Sequence, residues 1–520
     1  MKVVTIEQMR DLETRTAALG TSTERLMENA GLAVAEQARS LIGDLRGEHF
    51  TVLVGSGNNG GDGLVAARHL NAWGARVHVV LCAPRPDDDP RIQLLNELAV
   101  DISRLEEDGD TRALARTLAS SRVVIDAILG TGRSRPLGGT IRSALEAVRE
   151  AKRRSLGLIV LALDVPSGLD ADDGSCDAAT PYADVTVTLG YPKQGLFHFP
   201  AAGKVGKLVT VDIGIPAGLV DQVPLEVASD AWVKGVLPPR PLHANKGTFG
   251  RVMVVAGSAD YIGAAYLACA GAVRAGAGLV TLATPRSLVP VIASQLPEVT
   301  HLPLQESDWG VVKGSDAAKQ VHRALPGYDV LLAGCGVSQH PHAADMVRHL
   351  LTSMPSGVQP RLVVDADGLN ILAKSANWWR RIHEDAVLTP HPGEMRRLTD
   401  ATFDEVQANR LAAAREAAST WRKTVLLKGA YSLVVVPEGQ AVINPFANPL
   451  LATAGTGDVL AGIVAGLLAQ GLSSFHAAAA AAYIHGAVGE RLREELGDAG
   501  AAASDILPLI PRVLKDLRGS

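Results

Sequence analysis

Cysteine is scarce and scattered. Cys82, Cys176, Cys269 and Cys335 include no Cys-x-x-Cys pair, which argues against a zinc site and for a reducing compartment. No charge of one sign prevails either. The net charge is −5 across 520 residues, and basic clusters such as Lys152-Arg153-Arg154 and Arg380-Arg381 are short enough to be solvated helix ends. A nucleic-acid partner is therefore not expected. Long, strongly apolar runs are missing as well. The most apolar stretches, 262–283 and 476–488, are rich in Ala and Gly and carry Arg274 or His485, whereas a membrane span needs about 20 strongly apolar residues. They read as buried helices. At the N-terminus Glu7 arrives before any leader-like apolar core, so a cytoplasmic location is expected.

What is present is core-forming material. With 47% apolar and 20% charged residues the chain is globular rather than disordered, and at about 100–200 residues per domain its length calls for two or three domains. Thr5-Ile6-Glu7-Gln8 and Thr21-Ser22-Thr23-Glu24 fit the capping box, and Leu26, Ala30, Val34, Ala38 and Leu41 recur at helical spacing, which predicts two N-terminal helices. A strand at 50–54 then leads into Gly55-Ser56-Gly57-Asn58-Asn59-Gly60-Gly61-Asp62-Gly63 and a helical run, 64–73. Gly55, Gly57 and Gly60 satisfy G-x-G-x-x-G in the strand–turn–helix setting of a dinucleotide fingerprint. Two features depart from it: the next strand, 76–83, ends without a ribose-binding acid, and Asp62 stands where a pyrophosphate would be repelled. A glycine-rich turn made for close packing is the plainer alternative. Two further strands, 123–125 and 158–163, run into Asp126 and Asp164. Ligands of open α/β sheets lie beyond the carboxyl ends of the strands, so Asp62, Asp126 and Asp164 are expected to converge on one crevice, although each alone could cap a helix. Asn59, Asp126 and Ser167 are hard oxygen ligands suited to an alkali or alkaline-earth cation.

From 215 to 246 the pattern loosens around Pro216, Pro224 and Pro238-Pro239-Arg240-Pro241, a linker or strap with a boundary near 220 that divides the chain into 1–220 and 221–520. Beyond it, short strands rich in Val, Leu and Ile (251–256, 279–283, 330–333, 362–364, 387–388, 425–427, 432–436) are separated by helical material, which predicts a mostly parallel sheet buried on both faces. Their carboxyl ends carry Gly334-Cys335-Gly336, Asp365-Ala366-Asp367-Gly368, Thr389-Pro390-His391-Pro392-Gly393-Glu394 and Lys428-Gly429-Ala430. His391, between two prolines and three residues before Glu394, is either a rigidly held ligand-binding group or a structural histidine. Near the C-terminus comes Ala452-Thr453-Ala454-Gly455-Thr456-Gly457-Asp458-Val459-Leu460. Its glycines let backbone N–H groups close on a phosphate, and the helical run 459–468 aims its positive end at the same anion. Asp458 is then a carboxylate in a place built for anions, which suits a general base toward a substrate hydroxyl. An ordinary helix cap accommodates the same residues.

The words Asn58-Asn59-Gly60-Gly61-Asp62-Gly63, Asp126 with Gly130-Thr131-Gly132, and Asp164-Val165-Pro166-Ser167-Gly168 resemble the NAD(P)H-hydrate epimerases over about 1–215. The resemblance implies that Asn58, Asn59, Gly60, Gly61 and Asp62 bind the diphosphate and nicotinamide side of the substrate, and that Asn59, Asp126 and Ser167 hold K+. It also implies that Gly130, Thr131, Gly132, Arg133, Ser134, Arg135 and Pro136, with Asp164, contact the hydrated nucleotide. Epimerisation at C6 needs a reversible opening of that centre, and Asp164 is the candidate for proton transfer there. From about 239 to 514, Asn245-Lys246-Gly247-Thr248-Phe249-Gly250, Thr389 to Glu394, Lys428-Gly429-Ala430 and the stretch ending Gly455-Thr456-Gly457-Asp458 resemble the ribokinase-like fold and, within it, the NAD(P)H-hydrate dehydratases. This implies that Lys428, Gly429, Ala430, Tyr431, Ser432 and Gly457 bind an adenine nucleotide, and that Ala264, Gly336, His391 and Asp458 bind hydrated NAD(P)H. Cys335 stands where a proline is usual, and Tyr431-Ser432 replaces a commoner polar pair. The expected fold class is α/β: a Rossmann-like three-layer N-terminal domain and a ribokinase-like α/β C-terminal domain.

Together the resemblances imply repair of hydrated NADH and NADPH. The first half epimerises the C6 hydrate, and the second dehydrates the S epimer at the expense of ADP, giving AMP, phosphate and NAD(P)H. Asp458 takes the C6 hydroxyl proton as that oxygen attacks the terminal phosphate, and backbone N–H groups of 454–457 stabilise the charge. ADP is the expected co-substrate and Mg2+ the expected helper, although nothing local to the sequence proves ADP over ATP. A homo-oligomer acting on small molecules, without membrane or nucleic acid, is expected. The rival readings are a ribokinase-like kinase for a vitamin-type alcohol with a regulatory first half, and a non-catalytic nucleotide sensor. The sensor gains nothing from Asp62 and Asp458.

Overall fold

Strands buried on both faces need helices on both sides, and the first sheet has seven strands, of which the central ones are of this kind. In the computed structural model, which describes residues 1–86, 88–105, 111–132, 137–355 and 357–519, these are β1 (His49–Val54), β2 (Arg76–Leu81), β3 (Asp101–Arg104), β4 (Val123–Ala127), β5 (Ile159–Leu163), β6 (Val185–Leu189) and β7 (Lys207–Val211). All pair in parallel, in the order β3-β2-β1-β4-β5-β6-β7. Chain direction across the sheet reverses between β1 and β4, so the crevice beyond their carboxyl ends is the topological switch point. Side chains alternate along β1. Val52 and Val54 join the core formed with helices Thr23–Ile42 and Asn58–Ala72, while Leu53 joins the opposite core with Leu114, Leu118, Leu145 and Val148. The helix Ile6–Ala18 starts with the expected capping box of Thr5 and Gln8. The second box does not form at Thr21. Ser22 caps instead, accepting from the Arg25 N–H, and the helix begins at Thr23.

The second sheet is larger. Its strands are β8 (Leu225–Val227), β9 (Arg251–Val255), β10 (Leu279–Pro285), β11 (Thr300–Leu304), β14 (Val330–Ala333), β15 (Arg361–Val364), β16 (Ala386–Leu388), β17 (Thr424–Leu427), β18 (Leu433–Val435) and β19 (Ala441–Ile443), with β12 (Glu306–Asp308) and β13 (Val311–Val312) forming a separate antiparallel pair. The order is β11-β10-β9-β14-β15-β16-β17-β18-β19-β8, parallel throughout except that β18 runs against both neighbours. Contacts divide the chain into two units, Met1–Val223 and Pro224–Ser520. The proline-bearing stretch is thus no free linker: it supplies the edge strand β8, and the following helix Asp230–Val236 buries Val233. The apolar stretch 262–283 is two elements, the helix Ile262–Ala275 and most of β10, separated at Gly276 in a left-handed cap. Among the described residues no helix is long and apolar enough to cross a membrane.

The centre of the second unit is a close crossing of Ile262–Ala275 with Thr456–Ala469. A Cβ on Gly271 would lie 2.5 Å from the Val459 carbonyl oxygen, and one on Gly462 would overlap the Ala268 carbonyl oxygen. Gly462→Ala therefore forces two backbones apart, an overpacking expected to cost about 1–3 kcal/mol and to lower the melting temperature. Gly235→Ala, whose Cβ meets nothing within 4 Å, is expected to leave it unchanged in the same calorimetric comparison.

Candidate active sites

In the first unit the strand ends come together as the parallel sheet requires. The helix Asn58–Ala72 begins six residues before the periodic apolar run, so Asn58 to Gly63 form its opening turns rather than a loop. It starts this close to the sheet because Gly60 has no side chain, since a Cβ there would overlap the Gly55 carbonyl oxygen. Arg85 braces the turn from the next strand end, donating from Nη1 to the carbonyls of Gly55 (2.7 Å) and Gly57 (3.1 Å) while pairing with the buried Asp89. Asp126, at the end of β4, is buried. Its oxygens accept from Ser167 N (2.9 Å), Ser167 Oγ (2.6 Å) and Ile128 N (3.3 Å). Burial pushes its carboxyl up, opposed by these hydrogen bonds. No salt bridge reaches it among the described residues. The side chain of Asn59 is also buried, and its Nδ2 has no hydrogen-bond partner. Gly130 lies against it, with a Cβ position 3.1 Å from Asn59 Cγ. Thr131 is half-buried and Gly132 exposed; Arg133, Ser134, Arg135 and Pro136 fall outside the described residues.

Asp164, just past β5, holds a left-handed φ of 68°, a strained conformation for a residue with a Cβ. Its Oδ1 accepts from Lys193 Nζ, from Leu189 N (3.0 Å) and from Thr188 Oγ1 (3.2 Å). Lys193 is completely buried and donates also to the Leu189 carbonyl at 3.1 Å. A lone lysine in Gly190-Tyr191-Pro192-Lys193 carries no periodic signal; its only clue is its position just after β6. Asp62, Glu13 and Asn58 line a cavity of about 350 Å³ with Met27, Leu189 and Ile213. Burial first, then the charges of Asp164 and Glu13, push the Asp62 carboxyl well above the usual range.

In the second unit the ends of β14 to β17 meet the N-terminus of Thr456–Ala469. Asp365, buried after β15, accepts on Oδ1 from Lys428 Nζ (2.6 Å) and Thr389 Oγ1 (2.7 Å). Burial alone would lower the Lys428 ammonium, but the charges of Asp365 and Glu394 raise it above its ordinary value. Lys428 Nζ also lies 3.7 Å from Glu394 Oε2. Glu394 is pushed up to about 6, by burial and then by the charge of Asp365, against the pull of Lys428. His391 caps the helix Pro392–Leu398: its Nδ1 accepts from Gly393 N at 3.0 Å, and its backbone N–H donates to Glu394 Oε2 at 2.8 Å. The cap holds the half-exposed ring in place, with Nε2 3.4 Å from Glu394 Oε1.

Asp458 is the third residue of Thr456–Ala469, after Gly455 at φ 91°. Burial and then the charge of Asp365 push its carboxyl up to about 7, while a hydrogen bond from Cys335 and the charge of Lys428 pull it down. Thr456 N donates to the Thr453 carbonyl (3.4 Å) and Val459 N to that of Gly455 (3.2 Å), which leaves the N–H groups of Gly457 and Asp458 to face an anion. Gly457 adjoins the ammonium, with a Cβ position 3.4 Å from Lys428 Nζ. Gly336 and Ala264 are in mutual contact range: a Cβ on Gly336 would come within 2.6 Å of that of Ala264. The turn Lys428 to Ser432 is fixed by Ser432 Oγ on the Gly429 carbonyl (2.8 Å) and by Tyr431 N on the Phe446 carbonyl (2.7 Å). Arg410 reaches the carbonyls of Lys428 (3.0 Å), Leu427 (3.2 Å) and Ala430. Arg410 and Arg85 carry no motif signal, because each acts on backbone carbonyls of another element.

Lys193→Met leaves Asp164 buried without its counter-charge. Breaking a buried pair in this way is expected to destabilise by about 3–5 kcal/mol, read as a lower denaturant midpoint.

Comparison with known proteins fits both halves. A family model described as NAD(P)H-hydrate dehydratase matches residues 252–512, and one described as YjeF-related protein N-terminus matches residues 23–195. The bifunctional NAD(P)H-hydrate repair enzyme of Moorella thermoacetica is 40% identical over 500 residues, spanning 95% of this chain and 92% of that protein. That of Thermofilum pendens is 37% identical over 524 residues, 100% and 97% respectively. A solved ribokinase-like superfamily protein from Enterococcus faecalis matches with a TM-score of 0.50 at 24% identity, covering 57% of this chain and 98% of its own, and shares the fold. With full-length relatives at this identity and a family model on each half, the chain belongs to the bifunctional NAD(P)H-hydrate repair enzymes.

Proposed function

We propose that the chain restores hydrated NADH and NADPH, the unit to Val223 epimerising the C6 hydrate and the unit from Pro224 dehydrating the S epimer with ADP as co-substrate. The observation that carries the second activity is Asp458: a carboxyl poised at about 7, in the first turn of a helix whose free N–H groups attract phosphate. Near neutral pH it is part-ionised and accepts the C6 hydroxyl proton as that oxygen attacks the terminal phosphate of the nucleotide. Lys428 and the N–H groups at the start of Thr456–Ala469 stabilise the charge on the transferring phosphoryl group. AMP departs with the electron pair of the broken bridge; phosphate then leaves C6 with the C6–O electrons, and loss of a proton from C5 to the departing phosphate restores the C5=C6 bond of the reduced ring. Lys428 to Ser432 and Gly457 hold the adenine nucleotide; Ala264, Gly336 and His391 hold the hydrated dinucleotide.

Cys335, Asp365 and Asp458 each offer a ligand atom within 4.8 Å of the others. A thiol and a lysine-paired carboxylate do not suit Mg2+, so no step is assigned to Mg2+ on these side chains; it belongs with the phosphates of the nucleotide.

In the first unit, Asn58 to Asp62 and Gly130 to Pro136 bind the dinucleotide, and Asp164 exchanges a proton at C6. Asn59, Asp126 and Ser167 fit K+. Asp126 is a buried carboxylate with no cationic partner among the described residues, and exchanging the Asn59 amide oxygen and nitrogen would put an acceptor where Nδ2 has no partner. When bound, K+ supplies the charge that offsets Asp126. A cytoplasmic setting accords with four free cysteines.

Asp458→Asn is expected to lower dehydration about 10²- to 10⁴-fold while adenine-nucleotide binding, followed by calorimetry, persists. In the wild type the rate should rise as pH rises through about 7, the value to which Asp458 is raised, because the ionised form is the base. A stable phosphate ester accumulating in place of the absorbance of the reduced nicotinamide would instead make the chain a small-molecule kinase.

A further inference from the structure

Two carboxyls line the cavity of the first unit, and a third lies directly behind its wall. Asp62 and Glu13 line it, and Asp164 is bound to the backbone of Leu189, another lining residue. Asp62, Asp164 and Lys193 are buried, whereas Glu13, on the helix Ile6–Ala18, is open to solvent. Glu13 interacts electrostatically with both buried carboxyls: its charge acts on Asp62, and that of Asp164 acts on it. Partial desolvation on the cavity side raises the Glu13 carboxyl, offset by Lys193 and Arg10. Arg91 also faces Asp62.

We propose that Asp62 and Asp164 serve as acid and base in the inversion at C6, and that Glu13 is the port through which the proton passes between this buried pair and water. The proposal rests on the epimerase reading of this unit. In one inversion Asp62 gives its proton to the C6 hydroxyl oxygen. The C6–O bond breaks, its electron pair leaves with water, and C6 with its ring nitrogen carries the positive charge. Water adds to the opposite face of C6, and its surplus proton goes to Asp164. The anionic walls favour the cation that forms between these events. Atoms balance, but a proton has moved from Asp62 to Asp164 and must return before the next turnover in the same direction. Lys193 already donates to Asp164 and accepts no proton as an ammonium. Glu13 is the carboxyl of the cluster that touches both solvent and cavity.

Glu13→Gln keeps the shape of the side chain and removes its ability to carry a proton. Multiple-turnover epimerisation should fall about 10-fold, a single turnover with enzyme in excess should stay within about 2-fold, and imidazole buffer should restore the steady state. Asp62→Asn should lose both rates. In heavy-oxygen water each inversion should install one solvent oxygen at C6. Equal loss in single and multiple turnover by Glu13→Gln, loss in neither, or retention of the original oxygen would overturn the relay. A wild-type protein that does not interconvert the epimers would sink the epimerase reading itself. An unshifted melting transition of the unit to Val223, followed by calorimetry, reports that the variants are folded.

Discussion

Under each candidate site a lysine is locked to a strand-end aspartate: Lys193 to Asp164 after β5, and Lys428 to Asp365 after β15. Such pairs roughly break even as contributors to stability, because desolvating two charges offsets their attraction. What they provide is a fixed field. Beside each pair sits another carboxyl, Asp62 in one unit and Asp458 in the other, which burial and the aspartate of the pair hold in the protonated form to unusually high pH. Two environments that set neighbouring carboxyls apart are the physical requirement for acid–base chemistry near neutrality. Both units meet it by the same means, on sheets of different order.

The second shared device is a helix that opens directly onto the strand ends. Asn58–Ala72 and Thr456–Ala469 each start within a glycine-rich word and place an aspartate, Asp62 or Asp458, in the opening turns. Backbone N–H groups there attract phosphate while the aspartate repels it. The conflict is eased because the carboxyl is raised by burial and remains available for a proton. Above about 7 the ionised form of Asp458 is a liability to the folded state, a penalty the close packing of Gly271 and Gly462 beneath the helix must bear.

Much of this could be read directly. The α/β alternation, the strand-end words and the glycine runs all rest on local periodicity and on the absence of Cβ atoms, which do not depend on distant residues. Local reading failed where a partner came from far along the chain. Leu225-Glu226-Val227 is too short to signal a strand, and it becomes β8 only because β19 offers an unpaired edge. Asn58 to Gly63 looked like a loop because glycine and asparagine are poor helix formers. Packing on the sheet below overrides that preference. One ring atom of His391 caps a helix while the rest of the ring remains half-exposed, a placement that its flanking prolines alone do not specify.

The sequence by itself determined the two α/β halves, the strand-end aspartates and the glycine-rich helix starts, because each is encoded within a dozen neighbouring residues. Only the tertiary structure decided the partners: Lys193 for Asp164, Lys428 for Asp365, Arg85 and Arg410 for the carbonyls of the binding turns, and Glu13 for the cavity of Asp62. The physical reason is that charge pairing and desolvation act through space. A carboxyl is raised or held down by what the fold buries beside it, and no spacing along the chain records that.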